Sequence, residues 1–161
     1  MGEGVMIYGV GGTRRTPVAS KKIAEVLYDI RDKGYSSVKP FSIGRVEKRM
    51  LEYANRNGIT LGSKDIYMGS KSISHTMRET KRQKRLAISE GDLISFPVSR
   101  RKMELFYDGE GFIYTDRKSK YIIHPNYKIK TSNGKTRKAM FVTAGRVNDP
   151  REFENPKYKK V

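Results

Sequence analysis

The chain contains no cysteine and no tryptophan, and only two of its 161 residues are histidine. Without cysteine it cannot form a disulfide, a thiolate zinc site or a thiol nucleophile. Its apolar runs are only a few residues long, and its first residues lack the charged flank and apolar centre of a signal peptide. We therefore expect a cytoplasmic protein that does not associate with membranes.

Acidic residues are scarce relative to basic ones. The 34 Lys and Arg residues outnumber the 17 Asp and Glu residues, which leaves a formal net charge of +17. Such an excess creates a positive field that attracts polyanions, and nucleic acid is the first candidate. Charge alone leaves a basic structural protein open as an alternative. The few acids are scattered along the sequence, so we expect no metal site and no cofactor.

Apolar residues in the first two thirds of the chain recur at three- and four-residue spacing, which is typical of helices. This spacing predicts one helix over 17–33 that ends at Gly34 and another over 46–57. A third helix is expected to start near Ser70 and to continue through SISHTMRETKRQKRL. Ser89, followed by Asp92, predicts the N-cap of a short fourth helix that Pro97 closes. The stretch 41–44 is expected to be extended.

Beyond Arg101 the sequence alternates between apolar and polar residues and is rich in strand-forming types. Four strands are expected, in MELFYD, FIYTD, KYIIHPNYKIK and RKAMFVTAGRV, with a tight hairpin at Asn133–Gly134. The predicted fold is therefore α+β, with N-terminal helices packed on a four-stranded antiparallel β-meander. We divide the chain into an arm with the first helix (1–40), an α+β domain (41–149) and a partly ordered charged tail (150–161).

Basic residues are concentrated in the predicted third helix and in the stretch 117–138, which contains no acid. In the second stretch the cations alternate with Tyr121, Ile123, Tyr127 and Ile129. One sheet face would then be buried while the other offers cations to phosphates. The candidate nucleic-acid-binding residues are Lys71, Lys81, Arg82, Arg85, Arg117, Lys120, Lys128 and Arg137.

His75 is the candidate for proton transfer. In a helix it shares one face with Lys71, Ser72 and Arg78, so an imidazole would lie beside cations. This combination suits RNA cleavage through the ribose 2′-hydroxyl, in which a proton moves and negative charge develops on the phosphate. A phosphate contact without catalysis is the alternative role for His75. For His124, which precedes a proline at a strand end, we favour a structural role.

The order of these features resembles the phage-associated branch of the barnase, EndoU, colicin and RelE-like nucleases. The resemblance covers roughly 41–147 and is carried by FSIGRV, by the histidine in SISHTMRETKR and by the threonine in MFVTAGRV. It implies a metal-independent endoribonuclease of phage or prophage origin, acting in the host cytoplasm. It places the helix histidine at His75 and the terminal hydroxyl at Thr143. Cationic roles fall on Arg78 and Lys130, and Tyr114 is a further candidate.

The expected partners are RNA, including transfer RNA, or another nucleic acid, together with a cognate inhibitor or a phage structural protein. Two alternatives remain open. One is a non-catalytic nucleic-acid-binding or virion-associated protein, which would bind in a salt-sensitive manner without cleavage. The other is an inhibitor whose basic face covers an acidic surface on a host protein.

Overall fold

The computed structural model describes residues 17–77, 88–130 and 134–161, apart from the side chain of Arg137. The helices are α1 (Val18–Lys33), α2 (Lys48–Arg56), α3 (Ser70–Thr76) and α4 (Glu90–Ser99), with 3₁₀ turns at Arg100–Lys102 and Pro150–Glu154. The strands are β1 (Phe41–Arg45), β2 (Asp65–Met68), β3 (Glu104–Tyr107), β4 (Phe112–Thr115), β5 (Ser119–Lys130), β6 (Thr136–Arg146) and β7 (Lys159–Lys160). The predicted α+β class is confirmed.

The strands form one mixed sheet in the order β1-β2-β6-β5-β4-β3-β7. The four strands β3 to β6 are consecutive antiparallel neighbours, but the prediction of a four-stranded sheet was wrong because three further strands extend its edges. On one side β2 pairs in parallel with β6, at Ile66 to Met140 and Tyr67 to Phe141. Such long-range pairings leave no local pattern in a sequence.

The main core lies between the helices and one face of the sheet. From α1, the side chains of Ile23, Val26 and Leu27 are buried there. The ring of Phe96 in α4 stacks on Tyr121 of β5, with centroids 3.9 Å apart. Since α1 shares this core with the strands, a boundary at residue 40 does not separate two cores.

The opposite sheet face is covered in part by the C-terminal residues. Phe153 stacks on Phe106 of β3 with centroids 5.1 Å apart, and β7 pairs with β3. Burial of these rings offsets the cost of ordering the chain. This segment, which the sequence led us to expect as a partly ordered tail, therefore packs against the sheet in the structure.

Among the described residues, two of the helix-end signals in the sequence are confirmed. Gly34 ends α1 in the left-handed region at φ 86°, and the Ser89 hydroxyl accepts from the backbone N–H of Asp92 at the start of α4. However, α4 continues two residues beyond Pro97, because proline forfeits its own N–H bond but keeps a helical φ. Only Ser70–Thr76 of the predicted long third helix is described as α-helix, and 78–87 lie outside the described residues. No helix among the described residues is long and apolar enough to cross a bilayer.

Candidate nucleic-acid interface

The position of α3 follows from the parallel pairing of β2 and β6. β2 pairs only with Met140 and Phe141 of β6, and the chain continues directly from β2 into α3. The Thr76 hydroxyl lies 2.8 Å from the Ser72 carbonyl oxygen of its own helix and 3.3 Å from the Ala144 carbonyl oxygen of β6. These contacts fix α3 against β6, next to the exposed side chain of His75.

A cavity of about 870 Å³ opens between α3, the α1–β1 connection and the β5–β6 hairpin. Its described lining includes four exposed lysines and no Asp or Glu. We call it the basic cavity and define it by Lys39, Lys71, His75, Lys128, Lys130 and Thr143. Its size falls within the range of ligand-binding pockets in proteins.

The basic cavity brings together five of the site residues predicted from the sequence, which come from three different elements. His75 and Lys71 come from α3, Lys128 and Lys130 from β5, and Thr143 from β6. Lys39, which lies in the connection before β1, is a lining residue that was not predicted. Lysines within one concave surface raise the local positive potential and favour a phosphate there.

Thr143 contacts the second histidine of the chain. Nε2 of His124 lies 3.2 Å from the Thr143 hydroxyl oxygen. The imidazole of His124 is half-buried, and this burial lowers its pKa against the smaller opposing influence of Asp108 and Glu110. The ring is therefore neutral at neutral pH, so one ring nitrogen donates and the other accepts. We predicted a structural role for His124 but not this contact, because the contact depends on the register of β5 and β6.

A β-bulge separates His124 from the outer half of β5. Pro125 and Asn126 together occupy the space opposite one residue of β6. The Pro125 carbonyl accepts from the N–H of Gly62 at 2.8 Å, and the Asn126 amide donates to the Thr60 carbonyl at 2.9 Å. The bulge is thus held by the loop after α2.

The bulge changes which side chains share a face. Tyr121 and Ile123 belong to the main core, whereas Ile129 packs in a separate cluster with Phe141. The ring of Tyr127 stacks on Phe141 with centroids 4.7 Å apart and remains 47% exposed. The prediction of one continuous apolar face along β5 was therefore wrong, because an extra residue reverses the alternation.

A second cavity of about 730 Å³ shares Tyr127 with the basic cavity. We call it the aromatic cavity, and its lining includes Asn57, Thr60, Tyr107, Glu110, His124, Asn126 and Tyr127. The Tyr107 hydroxyl donates to the Gly109 carbonyl at 3.0 Å, and burial raises its pKa. No Lys or Arg is among the described residues that line this cavity.

Tyr114, selected as a candidate catalytic residue, lies in the core instead. It is fully buried, and its hydroxyl donates to Oε1 of Glu47 at 2.6 Å. Nη1 of the buried Arg100 is 3.5 Å from the same hydroxyl. Burial raises the pKa of Tyr114 far above its usual range. The structure therefore separates Tyr114 from the basic cavity.

Two of the predicted nucleic-acid contacts are engaged elsewhere in the fold. Arg117 donates to both carboxylate oxygens of Glu104, at 2.5 and 2.9 Å, and Nζ of Lys120 is 2.7 Å from Glu152. Hydrogen bonds from Arg117 and Lys160 lower the pKa of Glu104 to about 2. Neither Arg117 nor Lys120 lines the basic cavity. Arg78, Lys81, Arg82, Arg85 and the side chain of Arg137 lie outside the described residues.

The described part of the chain contains no cluster of side chains that could bind a metal ion. Within 17–77, 88–130 and 134–161, no three His, Asp or Glu side chains are placed to hold one metal ion together. Comparison of the chain with protein-family models, with curated proteins and with solved structures finds no match.

Proposed function

We propose that the protein is a metal-independent endoribonuclease of the phage-associated type that its sequence resembles, and that it cleaves RNA through the ribose 2′-hydroxyl in the basic cavity. One observation carries this proposal. An imidazole, a hydroxyl and several lysines from α3, β5 and β6 line the same concave surface.

The charges of the basic cavity suit the RNA backbone. Lys71, Lys128 and Lys130 are exposed and line the cavity, and its described lining includes no carboxylate to repel a phosphate. Cations near the scissile phosphate also stabilise the extra negative charge of the transition state. In our proposal Lys130 and Lys71 supply this stabilisation, together with the positive field of the chain.

His75 carries the proton transfer in this proposal. Its imidazole accepts the proton of the 2′-hydroxyl while the 2′-oxygen attacks phosphorus. The bond from phosphorus to the 5′-oxygen then breaks, and that oxygen takes a proton from the imidazolium or from solvent. The products are a 2′,3′-cyclic phosphate and a 5′-hydroxyl. Every oxygen in this reaction comes from the RNA, so no metal-bound water takes part.

Thr143 positions the phosphate. When Nε2 of His124 carries the ring proton, it donates to the Thr143 oxygen across their 3.2 Å contact. The hydroxyl hydrogen of Thr143 is then left to donate to a non-bridging phosphate oxygen. His124 is thus a positioning residue, one contact away from the RNA.

The test is incubation of the purified protein with total bacterial RNA in EDTA, followed by mapping of the product ends. We expect discrete fragments that end in a cyclic phosphate. His75→Ala should lower the cleavage rate at least about a hundredfold, the usual contribution of a general acid–base group. The matched control is Ser74→Ala, because Ser74 precedes His75 on α3 and does not line the basic cavity.

Undiminished cleavage by a folded His75→Ala protein would refute the assigned role of His75. Intact RNA with salt-sensitive binding would instead support the non-catalytic nucleic-acid-binding protein, which the cluster of lysines also favours. A stoichiometric protein complex that resists nuclease treatment would support the inhibitor of an acidic partner.

A further inference from the structure

The two cavities that meet at Tyr127 have opposite chemistry. The described lining of the basic cavity contributes lysines and no carboxylate, whereas that of the aromatic cavity contributes Glu110 and no Lys or Arg. A phosphate therefore suits the first cavity better than the second. The aromatic cavity suits a different part of any nucleic acid that occupies the basic cavity.

Three rings line the aromatic cavity, those of Tyr107, His124 and Tyr127. Tyr127 is suited to stacking, because contact with Phe141 fixes its plane and almost half of its surface stays exposed. A fixed aromatic ring beside a phosphate-binding groove is the usual platform for an unpaired nucleobase. The neutral imidazole of His124 adds a flat wall without a positive charge.

Glu110 supplies a hydrogen-bond acceptor in the same cavity. Its backbone N–H bonds to Oδ1 of Asp108 at 2.9 Å, which fixes the turn between β3 and β4, and its side chain is exposed. A carboxylate accepts hydrogen bonds from the amino groups of bases and is repelled by their carbonyl oxygens. Uracil carries no amino group, and its one ring N–H lies between two carbonyl oxygens that repel a carboxylate.

We propose that the aromatic cavity is a nucleobase subsite. Tyr127 stacks on the base next to the phosphate in the basic cavity, and Glu110 accepts from the amino group of an adenine, cytosine or guanine. The inference rests on the proposed function, since it takes RNA as the ligand of the basic cavity. It deepens that function by assigning a base preference to the site.

The test is equilibrium binding of short fluorescent 2′-O-methyl RNA oligomers, which cannot be cleaved through the 2′-oxygen. Removing one base at a time from the oligomer should weaken binding about fivefold or more at one position only, the lower end of a stacking contribution. Tyr127→Ala should weaken binding of the intact oligomer by the same factor and leave binding of that abasic oligomer unchanged. Tyr28→Ala is the matched control, because Tyr28 is an exposed tyrosine on α1.

Glu110→Ala provides a second variant that leaves the stacked rings in place. The wild-type protein should bind adenine, cytosine and guanine oligomers more tightly than uracil oligomers, and Glu110→Ala should abolish this difference. Equal losses for Tyr127→Ala on intact and abasic oligomers would overturn the subsite. An unchanged base preference in Glu110→Ala would overturn the role of Glu110.

The binding assay and the cleavage assay can each contradict one proposal without contradicting the other. RNA cleavage with base-independent binding would leave the proposed endoribonuclease standing and remove the subsite. Base-dependent binding without cleavage would leave the subsite standing and remove the proposed catalysis.

Discussion

At the scale of single residues, a buried polar group must find a partner, and Glu47 is the partner of Tyr114. Their 2.6 Å hydrogen bond joins the sheet to the N-terminus of α2, and Nη2 of Arg100 donates to the Arg45 carbonyl at 2.9 Å in the same region. Buried networks of this kind stabilise a fold when their members are satisfied. Tyr114 therefore contributes to the stability of the fold.

This role predicts the effect of Tyr114→Phe. The substitution removes a buried hydrogen bond to a carboxylate, worth about 1.5 to 3 kcal/mol. We expect the melting temperature to fall by about 3 to 12 °C. Below the transition, RNA cleavage and RNA binding should match those of the wild-type protein. Thermal unfolding and the cleavage assay measure the two effects.

Tyr28→Phe is the control for this substitution, because it removes a hydroxyl from an exposed tyrosine. Loss of cleavage in Tyr114→Phe with an unchanged melting temperature would contradict a purely structural role.

The contrast between Tyr114 and His75 shows what a sequence can reveal about single residues. The helical spacing around His75 predicted that it shares a helix face with Lys71, and both residues line the basic cavity. Tyr114 lies in a strand whose residues are all buried, so alternation could not assign its side chain to one face. The contact between Thr143 and His124 could not be predicted from the sequence either, because it depends on how β5 and β6 pair.

At the scale of elements, the β5 bulge directly precedes Tyr127, the residue that the two cavities share. Gly62 lies against it so closely that an added Cβ would be 2.7 Å from the Pro125 carbonyl oxygen and 3.0 Å from the Ala139 nitrogen. Both neighbours are backbone atoms of paired strands, which cannot move without disturbing the sheet. A side chain at position 62 would therefore displace the bulge.

We therefore expect Gly62→Ala to be destabilising. Overpacking of this kind costs about 1 to 3 kcal/mol, which corresponds to a fall in melting temperature of about 2 to 12 °C. Displacement of the bulge should also weaken binding of the 2′-O-methyl oligomers, because Tyr127 moves with it. Thermal unfolding and fluorescence anisotropy test both expectations.

Gly91→Ala serves as the comparison, since beyond the backbone of its own helix and its chain neighbours no atom lies within 4 Å of an added Cβ at that position. Alanine there should leave the melting temperature unchanged or raise it. A stable Gly62→Ala protein with normal binding would show that the bulge tolerates displacement.

The elements differ in how well their sequences predicted them. The helices α1 and α2 and the strands β3 to β6 carry their own periodicity, which local reading detects. The pairing of β2 with β6 and of β7 with β3 involves only two residue pairs each, separated by many residues in the chain. Tertiary contacts decide such short strands, so their sequences carry little local signal.

At the scale of the whole molecule, the net charge of +17 is unevenly distributed over the surface. Where the C-terminal residues pack on the sheet, several cations form ion pairs. Glu104 pairs with Arg117 and Lys160, and Glu152 pairs with Lys120. The basic cavity instead presents lysines without a carboxylate among its described lining residues. The field that a nucleic acid meets should therefore be strongest at the cavity.

This distribution predicts how binding depends on salt. Each phosphate of a single-stranded RNA that a lysine neutralises contributes about 0.7 to the slope of the logarithm of the binding constant against the logarithm of the salt concentration. We expect Lys128→Ala combined with Lys130→Ala to reduce that slope by about 1.4. Titrations of the 2′-O-methyl oligomers at several salt concentrations measure it without cleavage.

The matched control carries Lys21→Ala and Lys22→Ala, which remove two exposed lysines from α1 and give the same net charge. If a general positive field held the RNA, both double variants would weaken binding equally, since each loses two charges. If the basic cavity holds the backbone, only the β5 variant should lose about 1.4 in slope, because counterions are released where phosphates and lysines meet. The difference between the two slopes therefore measures how many phosphates these two lysines contact.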